Sequence, residues 1–152
     1  MYHHLFIFKP SLWLGEGKIR LNMVQEELNF FTRWKTQQSD ATGLIESIQE
    51  IQVKGLSDIM INQFSFFAIT PTQFSLELEN HALGKIQGGG ILNEKVIAWE
   101  FRVPDIGFEG LELYEKEGEH AYLMRAEYTT SDQFRTSIEG RIWLPDGLEE
   151  QT

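Results

Sequence analysis

Apolar and polar side chains alternate with a period of two along almost the whole chain, and no other feature limits the possible folds as strongly. Ile19, Leu21 and Met23 alternate with Lys18, Arg20 and Asn22, and FSLELEN, Phe74 to Asn80, repeats the rhythm. Alternation of this kind sends successive side chains to opposite faces of a strand. Strands are predicted over residues 17–23, 28–35, 44–54, 57–70, 74–80, 84–87, 96–103, 111–116, 121–130 and 133–144. Thr70-Pro71-Thr72, Pro104, Gly107, Gly118 and Ser131-Asp132 separate them as turn formers. Two places read differently. Leu28, Phe31 and Trp34 also stand at helical spacing, so residues 27–38 fit either a strand or a short helix. Gly88-Gly89-Gly90 predicts a break or sharp bend, because glycine visits positive φ without penalty.

Nine or ten short strands on short links form an antiparallel meander, since parallel crossovers need a dozen or more residues. A meander leaves two open edges unless it closes. The expected fold is therefore all-β: a closed antiparallel up-and-down β-barrel of nine to ten strands. A two-sheet sandwich would need longer connections. The 152 residues fit a single domain, 1–152, with residues 1–10 expected to be a mobile lead-in and 146–152 a polar tail. Phe at 11 positions in a chain 12% aromatic is ample for a packed interior or an apolar cavity.

A net charge of −10 repels phosphate backbones and anionic lipid headgroups, so neither nucleic acid nor membrane is expected as a partner. No run approaches the roughly 20 apolar residues of a spanning helix. The absence of cysteine removes disulfides, thiol nucleophiles and thiolate metal sites together. Leu5 to Phe8 is too short for a signal-peptide core, and the expected location is the cytoplasm. Oligomeric state is not legible.

The stretch Trp13-Leu14-Gly15-Glu16-Gly17 at the head of this meander resembles the W-x-G-E-G opening of nitrobindin-like barrels, and more loosely the first strand of calycins such as lipocalins and fatty-acid-binding proteins. The resemblance covers that motif and the strand rhythm. It implies a barrel of about ten strands with a central cavity for an apolar or planar ligand, and a tryptophan that plugs one end. Haem-binding nitrobindins carry a late histidine, whereas no histidine follows His120 here and the last strand reads GRIWL. No cofactor is expected. The fatty-acid-binding R-x-Y pair is not reproduced either, because Arg125 and Tyr128 are three apart and point to opposite faces.

Candidate ligand contacts are Trp13, Trp99, Arg102, Tyr122, Arg125, Tyr128 and Arg141. Trp13 is first a core plug, with Arg141 or Arg135 stacking on its face as a barrel-closing pair. Glu100 and Arg102, Arg125 and Glu127, and Arg135, Glu139 and Arg141 each share one face of a strand. That charged face is either an outer surface laced with weak ion pairs or a lumen in which arginines clamp a carboxylate. His3, His4, His81 and His120 read as surface histidines, since they lack metal-ligand spacing. Glu109, Glu112, Glu115, Glu117 and Glu119 read as a solvated hairpin. The function expected is binding of a small hydrophobic or amphipathic molecule, a carboxylate among the possible headgroups. The alternatives are a lyase or isomerase using Glu100, Glu127 or Tyr128 as acid or base, or an interaction protein with a filled barrel.

Overall fold

The computed structural model describes residues 4–38 and 43–145; His3 and the expected tail at 146–152 lie outside them. Ten strands follow one another: β1 (Ser11–Leu21), β2 (Glu27–Gln38), β3 (Ile45–Val53), β4 (Ile59–Phe67), β5 (Gln73–Asn80), β6 (Gly84–Leu92), β7 (Val96–Val103), β8 (Phe108–Gly118), β9 (Ala121–Thr129) and β10 (Arg135–Trp143). Each pairs antiparallel with its neighbour in sequence, and β10 pairs with β1, so the sheet closes without an edge. A single 3-10 turn at Pro104–Ile106 is the only helical element among the described residues. This is the closed up-and-down barrel that the alternation predicts.

Residues 27–38 are a strand. Phe30, Thr32, Trp34 and Thr36 are buried on its inner face, while Phe31 is exposed on the outer one, so the helical spacing of Leu28, Phe31 and Trp34 marks no shared face. β-branched and aromatic residues suit a pleated, half-buried surface, which is why this segment extends.

The glycine triplet does not break β6, which runs unbroken from Gly84 to Leu92. Phe74 on β5 and Phe101 on β7 are the cross-strand partners of Gly90 and Gly88. Their rings lie so close that a Cβ on Gly90 would stand 2.2 Å from the Phe74 ring, and one on Gly88 would stand 2.7 Å from Phe101. The aromatic neighbours cover the bare backbone, supplying the packing that glycine lacks. At the closing seam, Gly17 and Gly140 are partners. A Cβ on Gly17 would come within 2.2 Å of the Glu139 carbonyl oxygen and 2.6 Å of the Gly140 Cα. Two of the residues in the W-x-G-E-G stretch thus serve closure: Trp13 fills the interior and Gly17 lets β1 approach β10.

Residues 4–10 correct the expectation of a mobile lead-in. They form a strap tucked into the end of the barrel where β1 begins, and Phe6, Ile7 and Phe8 are buried. Phe6 sits among Trp13, Trp34, Tyr114 and Tyr122, with ring centroids 4.9 to 5.6 Å away. Ile7 adopts φ 60°, a left-handed conformation that costs a β-branched residue about 1–2 kcal/mol and is held here by burial. His4 is buried too, and is not a surface histidine. Its Nε2–H donates to the Asn93 carbonyl (2.6 Å), so its Nδ1 accepts from the Tyr122 hydroxyl (2.6 Å). The strap therefore seals one end of the barrel, the end that also carries the β2–β3, β4–β5, β6–β7 and β8–β9 links.

Candidate functional site

The interior divides into two halves. In the half below the strap, Trp13, Trp34, Phe64, Phe66, Trp99, Tyr114 and Tyr122 are essentially fully buried and pack edge-on or tilted against one another, with Phe64 and Phe66 stacked. This half is solid, which corrects the picture of a hollow running through the whole barrel. Toward the other end the strands keep the same inward phase, yet Ile19, Leu28, Ile51, Val103, Tyr128 and Ile138 are only half-buried. These side chains pack against the buried cluster and keep partial contact with solvent at this end, the mouth of the barrel. Met23 and Val24 in the β1–β2 link, Leu56 in the β3–β4 link, Met60 at the start of β4 and Ile106 in the β7–β8 link are exposed apolar residues around it.

One wall of the lumen holds a carboxyl. Glu112 of β8 points inward in phase with Phe108 and Tyr114, and is 4% exposed. The Tyr114 hydroxyl donates to its Oε1 (2.7 Å) and the Tyr128 hydroxyl to its Oε2 (2.6 Å). Burial raises the Glu112 pKa above its ordinary 4.5, and the tyrosine hydrogen bonds pull it only partway back. Burial, with the neighbouring carboxyl, pushes both phenols up as well. The Tyr128 ring stacks on Phe108 at 6.0 Å and is half-buried, so it links the mouth to the carboxyl beneath.

The facing wall holds amides. Asn80 Nδ2 donates to Asn62 Oδ1 (2.9 Å), Asn62 Nδ2 to Gln49 Oε1 (2.9 Å), Gln49 Nε2 to Thr32 Oγ1 (3.1 Å), and Thr32 Oγ1 to the Glu50 carbonyl (2.9 Å). This ladder crosses β5, β4, β3 and β2. Its central strand, β3, lies five strands from β8 in either direction around the ring. Between the two walls stand Trp34, cross-strand partner of Gln49, and Trp99, cross-strand partner of Glu112, with ring centroids 6.3 Å apart. Both indole Nε1 atoms are buried without a hydrogen-bond partner. The Trp99 nitrogen lies close enough to Glu112 to lower its pKa slightly, but outside ordinary hydrogen-bond geometry.

The expected contacts separate accordingly. Trp99 and Tyr128 are brought together with Glu112. Trp13 and Tyr122 belong to the packed half, where Trp13 Nε1 donates to Ser11 Oγ (3.0 Å) and its ring meets Phe6 and Tyr122 rather than an arginine. Arg102, Arg125 and Arg141 stand on the outer wall, which resolves the two readings of the charged face in favour of the surface. Arg102 lies near Glu100 (3.6 Å), Arg135 near Glu127 (3.7 Å), and Arg141 Nε donates to Glu117 (2.9 Å), all exposed. Arg125 lines an external groove of about 360 Å³ with Lys18, Arg20, Ser137 and Glu139. Strand alternation forces this: odd positions of β9 and β10 face out because Tyr122, Met124, Ala126 and Ile142 face in. Glu100 and Glu127 are likewise outside, away from any interior chemistry.

Glu112 corrects the reading of a wholly solvated hairpin, since it alone of that acidic series is buried. Its phase with Phe108 and Tyr114 is the signal that could have found it, though Leu111 and Leu113 give the opposite face an equal apolar claim. Gln49 similarly shares the phase of Ile45, Ile51 and Val53.

No family model matches the sequence, and no curated protein matches it. Among solved structures, the S-type phycobiliprotein lyase CPES from Guillardia theta has a similar fold, with a TM-score of 0.68 over 91% of this chain and 89% of that one, at 7% sequence identity. Among the described residues no helix is long and apolar enough to cross a membrane. At such low identity the likeness is one of architecture alone, and that architecture is the ten-stranded up-and-down barrel.

Proposed function

We propose that this protein binds a small apolar or amphipathic molecule in the open half of its barrel. The observation that carries the reading is the partial exposure of Ile19, Leu28, Ile51, Val103 and Ile138, inward positions at the end of the barrel away from the strap that pack against the core without being fully buried. Soluble proteins keep apolar surface of this kind for a guest or a partner, and a concave apolar lining with a few convergent polar groups is the usual form of a small-molecule site. The apolar rim at Met23, Val24, Leu56 and Ile106 gives such a guest an entry surface. Trp99 at the floor and Tyr128 on the wall are the expected contacts retained; the outer-wall positions of Arg102, Arg125 and Arg141 take away the carboxylate clamp.

A second reading, catalysis on the bound molecule, is favoured by the Tyr128–Glu112–Tyr114 chain, a carboxyl of raised pKa placed beside the lumen. The structural neighbour's designation as a lyase is compatible with it. Binding is tested by native mass spectrometry and an absorbance scan of freshly purified protein, together with Nile red titration of wild type and Val103→Trp. A co-purifying small molecule, or saturable dye binding abolished by Val103→Trp, supports the site. An empty protein that takes up no dye rejects it.

A further inference from the structure

Gly89 is the member of the glycine triplet that the fold does not require. Gly88 and Gly90 are kept bare by the rings of Phe101 and Phe74, whereas a Cβ on Gly89 would meet nothing within 4 Å, and its φ lies outside the left-handed region. Glycine weakens a strand interior, and its place in one often marks the close approach of another molecule. On the outer wall Gly89 floors a groove of about 570 Å³ that also takes in Ser75, Ala98 and Glu100, with Ile91 (63% exposed) and Leu111 (52% exposed) as its apolar walls. The outer surface carries the converse feature as well. Phe31 of β2 is 61% exposed and is the one exposed aromatic ring among the described residues.

Charge distinguishes the two surfaces. The wall of β9, β10, β1 and β2, which presents Phe31, carries seven lysines and arginines against four glutamates. The wall of β5 to β8, which contains the groove, carries three against seven, one of the seven being the inward Glu112. Two chains of net charge −10 repel one another in most orientations, so contact is favoured where the basic-rich wall of one meets the acidic wall of the other.

From these features we infer that the protein associates weakly with itself, Phe31 of one copy entering the groove over Gly89 of the next. β2 and β6 stand four strands apart around the ring, so the two surfaces face different ways. The contact is therefore heterologous, adding copies in a row or a ring instead of stopping at a two-fold dimer. One ring in one groove is small beside a permanent interface, which puts the contact in the transient class. The inference is independent of the binding function proposed above.

Sedimentation velocity of the full chain tests it from about 5 µM to about 500 µM in low salt, a range that brackets weak association. Wild type is expected to be monomeric at the lower end and to exceed the mass of a dimer at the upper end, the gain falling in about 0.5 M NaCl. Phe31→Thr removes the ring, and Gly89→Val fills the groove floor at a position with room for the new side chain. Each variant alone should stay monomeric. Mixed in equal amounts they should form a dimer and nothing larger, because the intact groove of the first receives the intact Phe31 of the second and only altered surfaces remain. Wild type that stays monomeric throughout or stops at a dimer overturns the inference, as does association indifferent to salt. Self-association of either variant equal to that of wild type overturns it too, and so does a mixture that stays monomeric or grows beyond a dimer. Circular dichroism verifies each fold, and Ile91→Ser, which strips a groove wall, replaces Gly89→Val if that variant does not fold.

Discussion

The closed and open halves of the barrel are made by the same ten strands, with the same alternation, and end in different states. Under the strap the inward positions carry Trp13, Trp34, Phe64, Phe66, Trp99, Tyr114 and Tyr122, and Phe6 enters from the terminus to complete the packing. Toward the mouth the inward positions Gly17, Ile19, Leu28, Ile51, Gly88, Val103, Gly110 and Ile138 are smaller and several are only partly buried, while Phe30, Phe101 and Phe108 beside them stay buried. A ten-stranded ring is wide enough that aliphatic side chains do not meet across it, whereas indoles and phenols do. The size of the inward side chain, rather than any change in backbone, sets how completely each half is buried.

Substitutions should therefore divide along the axis. Trp34→Ala, in the closed half, is expected to cost about 3–5 kcal/mol in chemical denaturation, because it leaves a cavity among Phe6, Phe64 and Trp99. A loss below about 1 kcal/mol would mean the half is not packed as described. Gly17→Ala forces a Cβ against the β10 backbone and should cost about 1–3 kcal/mol by the same measurement, with β1 and β10 amides losing hydrogen-exchange protection first. Ile138→Ala, in the open half, should cost only about 1 kcal/mol and alter Nile red affinity, reversing the balance seen at Trp34.

Glu112→Gln tests the border between the halves. A carboxyl whose folded pKa lies above its unfolded 4.5 binds its proton more tightly in the native state. Its contribution to stability is fully present below about pH 4.5 and is lost as pH rises through the raised folded value. Wild-type stability in urea should thus carry a downward slope over that window, and the glutamine variant, which keeps an uncharged side chain at all pH, should flatten it. An unchanged slope would place the titration elsewhere. Smallest of all, Arg102→Ala and Arg125→Ala should stay within about 0.5 kcal/mol of wild type and leave dye affinity unchanged, as befits exposed charges on the outer wall.

Legibility in the sequence followed the same division. The β7, β9 and β10 patterns show which face is apolar, and that face proved to be the inner one, because a closed sheet with charge outside has one low-energy choice. β8 was ambiguous: Gly110, Glu112 and Tyr114 are no more apolar than Leu111 and Leu113, and its orientation is fixed by the register with β7 and β9. Glu112 was hidden for that reason. The amide ladder was hidden for another, since Gln49, Asn62 and Asn80 come from three strands and only the pairing of those strands brings them within hydrogen-bond distance. The strap was misread because Phe6, Ile7 and Phe8 form too short a run to announce a structure of their own; they are ordered by the aromatic chamber that receives them.

By itself the sequence determined a meander of short strands, its closure, and an interior rich in aromatic side chains, because period-two alternation and short links leave a chain of this length few other ways to bury its apolar face. Tertiary structure alone decided that the N-terminal strap fills one half and that Glu112 faces an amide ladder across the other. Those outcomes depend on which residues of non-adjacent strands come level around the ring, and that is a property of register, to which no single strand's pattern is sensitive.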